Sequence, residues 1–151
     1  MDLLAALPLL LPKAIAWAID EEARTAISGR VLSATEVGIA EKVGVTRPDL
    51  IRVQLCSQLP LPEDASLRTA AEQTGLLGPG MVGLTLGYAV FICSGHETRR
   101  LLAHEFRHVF QYEQRGGIAG FLPIYLEQIA SFGYANSPLE IDARAHEHLA
   151  G

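Results

Sequence analysis

Two histidines four residues apart, with a glutamate beside the first, stand in the stretch LLAHEFRHVFQYEQRGG, residues 101–117. On an α-helix, residues i and i+4 lie one above the other on the same face. His104 and His108 can therefore direct their imidazole nitrogens at a single point. Histidine nitrogen is a common zinc ligand, and two such ligands form half of a tetrahedral site. The spacing predicts that His104 and His108 bind a zinc ion.

Glu105 is the residue that would give such a site catalytic chemistry. It lies about 100° further round the helix than His104, because a helix has about 3.6 residues per turn. A zinc ion lowers the pKa of a bound water to roughly 7, and a nearby carboxylate can then accept the proton. We expect Glu105 to act as a general base on zinc-bound water and not as a ligand.

The alternative interpretation is a helix that carries two histidines and no metal. Apolar residues surround most of this helix: Leu101, Leu102, Phe106, Val109 and Phe110. The helix is therefore expected to be buried. Polar side chains at buried positions need partners, since an unpaired polar group there is strongly destabilising. Zinc would supply that partner, which favours the metal site.

A third protein ligand must come from another part of the chain. The acids and histidines downstream are Glu113, Glu127, Glu140, Asp142, His146, Glu147 and His148. Glu113 lies too far along the motif helix to close a compact site, and Glu127 fits a solvent-facing position. Glu140 stands in the first turn of the last predicted helix, where the helix dipole favours a carboxylate. We favour Glu140, with Asp142 and His146 as alternatives.

The pattern of apolar residues and turn signals predicts helices at both ends of the chain and strands in the middle. Helices are predicted at residues 13–27, 33–44, 65–73, 94–115, 121–132 and 137–150. Capping boxes at Ser33–Glu36 and Ser94–Glu97 are expected to begin the second and fourth helices. Alternation predicts a half-buried strand at 51–56, and a run of β-forming residues predicts a buried strand at 84–93.

These elements predict one α+β domain over residues 1–151, a small β-sheet with the motif helix and flanking helices. Residues 1–45 would form N-terminal helices and residues 46–95 the sheet region. Residues 96–151 would form the motif helix and the C-terminal helices. The composition, 49% apolar and 19% charged, is typical of a globular domain.

Charge and cysteine content limit the partners and the compartment that we expect. The net charge is −5 and the twelve lysines and arginines are scattered, which argues against nucleic-acid binding. Two cysteines outside any CxxC motif favour a reducing compartment. Residues 1–19 lack a basic start, and glycines and a proline interrupt the uncharged segment 74–95, so we expect neither a signal peptide nor a membrane span. The expected location is cytoplasmic.

Three features together resemble the gluzincin branch of the zincin metallopeptidases: HEFRH on one helix, a carboxylate on a later helix, and a strand just upstream. The resemblance covers residues 84–151 and implies a zincin-like fold. It implies Zn²⁺ bound by His104, His108 and Glu140, and a zinc metallopeptidase in which Glu105 activates water to attack a peptide carbonyl. The substrate would be a peptide or protein, paired with the strand that lines the cleft.

The chain departs from the gluzincin pattern at two points. The position four residues after Glu140, where many gluzincins have an acid, is Arg144, and Asp142 is nearer. Nothing in residues 84–151 matches the lobe that stabilises the oxyanion, so that role would fall to Tyr134 or His146. A partner protein could also complete the cleft.

A metzincin pattern is not present, because Gln111 and Gln114 stand where its glycine and histidine would be. The competing hypothesis has the same metal site but no peptidase activity. It is a zinc-binding protein of the same fold with a non-proteolytic binding or regulatory role. A cleft beside the metal and a coordination position open to water would distinguish the two.

Overall fold

A computed structural model describes residues 2–151. Within this range the chain forms a mixed α+β structure with six α-helices and one three-stranded sheet. The α-helices are α1 (Leu3–Ser28), α2 (Ala34–Lys42), α3 (Ala65–Gln73), α4 (Arg99–Gln114), α5 (Ile118–Phe132) and α6 (Pro138–Ala145). The strands are β1 (Arg52–Cys56), β2 (Gly83–Leu86) and β3 (Ala89–Cys93), and short 3₁₀ helices span Pro48–Leu50 and Glu147–Ala150. The predicted α+β class is confirmed.

The sheet has the strand order β1-β3-β2, with β1 parallel and β2 antiparallel to β3. The prediction of one strand over residues 84–93 is wrong, because this run is a hairpin. Leu86 pairs with Ala89 across a two-residue turn. Gly87 begins that turn with φ of 66°, in the left-handed region that glycine adopts without penalty. The β-forming residues continue on both sides of the turn, so their pattern alone did not reveal it.

Helix α1 begins at Leu3, and the predicted start at Lys13 is wrong. Asp2 caps the helix, since its carboxylate accepts a backbone N–H at 3.3 Å. Pro8 and Pro12 lie inside the helix, and both are exposed. The carbonyls that these prolines leave without a helical partner can therefore bond to water, which allows the helix to continue.

The long helix α1 is apolar on both its inner and its outer side. Leu10, Ala14 and Ala18 are buried where the helix packs on α5, α3 and the sheet. Leu9 and Ile27 are exposed. Among residues 2–151, α1 is the one helix long and apolar enough to cross a membrane by length and composition.

Helix α4, which carries the histidines, begins at Arg99. The capping box predicted at Ser94–Glu97 is wrong. Gly95 turns the chain with φ of 89°, and the Glu97 carboxylate accepts the N–H of Gly95 at 3.1 Å. Thr98 is the N-cap, and its hydroxyl accepts a backbone N–H of the first turn at 3.1 Å. The other predicted capping box, Ser33–Glu36, is confirmed.

The burial predicted for the motif helix is confirmed. Ala103, Phe106 and Val109 have no solvent exposure, and they pack in a core shared with α2, β1 and β3. Glu113 fixes the far end of α4. Its carboxylate accepts hydrogen bonds from the Tyr88 hydroxyl at 2.8 Å and from two backbone N–H groups of residues 46 and 47. The helix is therefore held rigidly by the hairpin turn and the loop before β1.

Arg107 joins α4 to the neighbouring helices. Its Nε donates to Asp142 on α6 at 2.8 Å, and its Nη1 donates to the backbone oxygen of Val43 at 2.7 Å. The guanidinium also lies 4.0 Å from the ring centre of Phe110. These contacts set α6 against α4, and α6 carries the predicted third ligand.

Candidate metal centre

Three buried side chains from two helices meet beside the sheet. Nε2 of His104 lies 3.2 Å from Oε1 of Glu140, and Nε2 of His108 lies 3.0 Å from Oε2 of the same carboxylate. The imidazole rings are edge to face, with centres 4.9 Å apart. One ligand atom from each residue lies within 4.8 Å of the others. His104, His108 and Glu140 could therefore hold a metal ion.

The donor set and its spacing fit a divalent metal such as zinc. Two donors bound tetrahedrally to zinc at about 2.0–2.2 Å lie about 3.3 Å from each other. The two nitrogen–oxygen separations here are 3.2 and 3.0 Å, each to a different oxygen of Glu140, and these are also the distances of direct hydrogen bonds. Two imidazoles and one carboxylate also form a ligand set found in catalytic zinc sites, where a fourth position stays open to water or substrate.

Glu140 owes its place to the start of helix α6. Ser137 is the N-cap, and its hydroxyl accepts the N–H of Glu140 at 3.3 Å, while Pro138 occupies the first helical position. The side chain of Glu140 is 1% exposed. The Tyr125 hydroxyl donates to its Oε2 at 2.7 Å. The local pattern that favoured this residue in the sequence therefore matches its position beside the histidines.

The two alternative third ligands lie elsewhere. The Asp142 carboxylate accepts hydrogen bonds from Arg107 and Gln111. Burial alone would raise the pKa of Asp142, but these hydrogen bonds outweigh it and lower the pKa below its ordinary value. Nδ1 of His146 lies 2.7 Å from the backbone oxygen of Asp142. Neither residue belongs to the group of converging ligand atoms, which contains Glu140.

Gln111 determines the tautomer of His108. Its Nε2 donates at 2.9 Å to the backbone oxygen of Leu139 and at 2.9 Å to Asp142, two groups that only accept. The amide orientation is therefore fixed, and Oε1 faces Nδ1 of His108 at 2.7 Å. Nδ1 must carry the proton that this contact needs. In the neutral ring, Nε2 then has its lone pair directed toward Glu140.

Glu147, on the C-terminal 3₁₀ helix, holds Nδ1 of His104 in the same way. Its Oε2 lies 2.8 Å from Nδ1 of His104, and its Oε1 accepts from Nε of Arg100 at 2.8 Å. Such contacts orient metal-binding histidines and raise their basicity. The roles of Gln111 and Glu147 were not predicted. Gln111 lies three residues after His108 on the same helical face, which was a usable signal, whereas Glu147 is distant in sequence and had none.

Glu105 lies beside the ligands without belonging to them. The Thr85 hydroxyl on β2 lies 2.8 Å from its Oε1. Gly83 leaves room for the carboxylate, because a Cβ at that position would lie 2.8 Å from Oε2. Burial raises the pKa of Glu105 above its ordinary value, against the opposing effect of His108 and His104. Strand β2 and helix α4 thus place a buried carboxylate next to the two histidines.

The ligands form a strongly coupled group of charges. Burial opposes the charged form of His104, but the hydrogen bond to Glu140 and the charge of Glu105 outweigh it and raise the pKa of His104 to about 9. The pKa of His108 is raised in the same direction, mainly by Glu140. The charges of the histidines hold the pKa of Glu140 well below its ordinary range, despite its burial. A bound cation would take the place of the protons on Nε2.

A cavity of about 120 Å³ opens beside the candidate metal centre. Glu105, His108 and Glu140 line it, and so does Tyr134, one of the two residues predicted to stabilise an oxyanion. Burial and the charge of Glu140 raise the pKa of Tyr134, so its hydroxyl keeps its proton and can donate a hydrogen bond. His146, the other candidate, does not line the cavity.

The structure thus brings four of the predicted site residues to one place: His104, Glu105, His108 and Glu140. They come from helices α4 and α6, and all four are buried. When the chain is compared with protein-family models, with curated proteins and with solved structures, no match is found.

Proposed function

We propose that this protein is a zinc-dependent peptidase with a zincin-like fold, in which His104, His108 and Glu140 bind zinc. One observation carries the proposal. A buried carboxylate that is not among the converging ligand atoms, Glu105, lines the same cavity as His108 and Glu140. A structural zinc site is closed by four protein ligands and has no use for a base, whereas a catalytic site has three ligands and an open position.

Bound zinc would lower the pKa of a coordinated water and polarise a carbonyl oxygen. Glu105 would accept the proton of the attacking water. Thr85 would hold the carboxylate in place through its hydrogen bond. Tyr134 would donate a hydrogen bond to the negative charge that develops on the carbonyl oxygen.

A non-proteolytic role is the second candidate, and it also has an observation in its favour. Within residues 2–151, every fully buried side-chain nitrogen and oxygen has a hydrogen-bond partner. The two histidines and Glu140 are therefore satisfied by each other, as a structural cluster would be. In this case the cluster would join α4 to α6 and would serve a binding or regulatory protein of the same fold.

Substitution of the proposed base, Glu105, distinguishes the two candidate functions. Purified protein should hold about one zinc ion per chain by elemental analysis, as one three-ligand site implies. Glu105→Gln should keep the zinc and lower the hydrolysis of a mixed peptide library about 10²- to 10⁴-fold, the usual contribution of a general base. Glu127→Gln is the matched control, because Glu127 is exposed on α5. It should match the unmodified protein in both measurements.

Three results would contradict the peptidase proposal. Zinc-loaded protein that cuts no peptide in the library would favour the non-proteolytic candidate. Hydrolysis by Glu105→Gln at the unmodified rate would remove Glu105 from the mechanism. A chain that takes up no zinc under any loading condition would contradict the peptidase and leave only a metal-free structural cluster.

A further inference from the structure

The cavity beside the metal centre extends away from the reactive residues into an apolar region. Its far walls come from helices α1, α3 and α5 and from the hairpin strand β2. The side chains there include Leu10, Ala14, Trp17, Ala71, Leu86 and Leu122. The carboxylates and the histidine on the lining are Glu105, His108 and Glu140, which belong to the candidate metal centre. The cavity thus joins a reactive end to an apolar end.

We propose that this cavity binds one leucine- or phenylalanine-sized side chain next to the peptide bond that is cut. The inference rests on the proposed peptidase function and adds its substrate class. A volume of about 120 Å³ is close to that of an engineered apolar protein cavity of about 150 Å³ that takes up benzene. An isobutyl or benzyl group therefore fits in size, and the apolar walls exclude a charged side chain.

Within residues 2–151, the lining of the cavity offers no free charged group to a chain end. Among the described residues that line the cavity there is no lysine or arginine to bind a terminal carboxylate. The lining carboxylates are Glu105 and Glu140, and both already have partners in Thr85, His104 and His108. No free acid remains there to bind a terminal amine. The cavity therefore takes an apolar side chain and not a charged chain end.

Trp17 allows occupancy of the cavity to be measured without any reaction. It is the single tryptophan of the sequence, and it lies on the cavity wall. A side chain that enters the cavity changes the surroundings of the indole. The emission of Trp17 should therefore change on binding, and its titration gives a dissociation constant.

The test uses zinc-loaded Glu105→Gln and blocked peptides without tryptophan that differ at one residue, X. Leucine has three more carbons than alanine, and each buried CH₂ contributes about 0.8 kcal/mol, so leucine should bind about 50-fold more tightly. Phenylalanine should bind at least as tightly as leucine, whereas lysine and aspartate should bind no better than alanine. The unmodified zinc protein should cut the same peptides in the same order.

A second experiment fills the cavity by enlarging a side chain on its wall. Ala71→Phe should abolish the preference for leucine over alanine, because the new ring occupies the space. Ala16→Phe makes the same change on the exposed side of α1, away from the lining, and should keep the preference. Circular dichroism would establish that each variant is folded, and the smaller change Ala71→Val should weaken the preference in part.

The outcomes separate this inference from the function on which it rests. Peptides that are cut equally well with leucine, alanine or lysine at X would overturn the inference and leave the peptidase proposal standing. A leucine preference in the Trp17 titration without hydrolysis by the unmodified protein would support the pocket and contradict the peptidase. Failure of every peptide to bind Glu105→Gln would count against the pocket.

Discussion

Different kinds of residue hold the Nδ1 atoms of the two histidines. Gln111 holds His108 through an amide whose orientation is fixed by two acceptors. Glu147 holds His104 through a carboxylate that Arg100 also binds. In both cases Nδ1 is occupied and Nε2 faces Glu140. A metal site needs this arrangement, and a buried histidine without a metal also needs a partner at Nδ1.

Loss of the contact behind His104 should weaken metal binding without removing a ligand. Glu147→Ala should lower zinc affinity about 10- to 100-fold, as the loss of such supporting residues typically does. Affinity can be measured by competition with a coloured chelator. Glu97→Ala is the control, because Glu97 is an exposed acid before α4. Equal zinc affinity of Glu147→Ala and the unmodified protein would show that Glu147 does not support the site.

At the scale of the elements, the site depends on how helix α6 begins. Ser137 is fully buried and caps α6 at the turn that delivers Glu140. The cap is therefore tied to the metal centre as well as to the helix. Ser33 caps α2 in a similar way, but α2 carries none of the site residues.

These two caps make a matched pair of variants. Ser137→Ala and Ser33→Ala should each lower the free energy of unfolding of the metal-free protein by about 0.5–2 kcal/mol, the usual loss for an N-cap. Urea denaturation measures this. Only Ser137→Ala should also lower zinc affinity, because it loosens the turn that places Glu140. Zinc affinity that falls equally in both variants would show that general stability, and not the position of Glu140, governs the site.

Elements with strong local signals were predictable and those set by a turn were not. The capping box Ser33–Glu36 and helix α3 follow from patterns within a few residues. The hairpin depends on Gly87, whose conformation no alternation pattern reveals. The helical start at Leu3 is not predictable from local pattern, because proline normally ends a helix, whereas Pro8 and Pro12 both lie exposed where water can replace the lost bonds.

At the scale of the whole molecule, the motif was predictable and its surroundings were not. The sequence spacing indicated His104, Glu105 and His108, and the helix-start pattern favoured Glu140. The contacts of Thr85 and Glu147 with them depend on how the hairpin and the C-terminal helix pack on α4. The cavity is likewise made by helices distant in sequence, so its apolar character could not be inferred from any one segment.

The proposed function depends on metal binding by His104, His108 and Glu140. Anomalous diffraction at the zinc edge, on crystals of the zinc-loaded protein, measures it most directly. We predict one zinc ion within about 2.0–2.2 Å of Nε2 of His104, Nε2 of His108 and a carboxylate oxygen of Glu140, with Glu105 outside bonding distance. No anomalous peak at this position, or an ion bound through Glu105 or Asp142 in place of Glu140, would contradict the account.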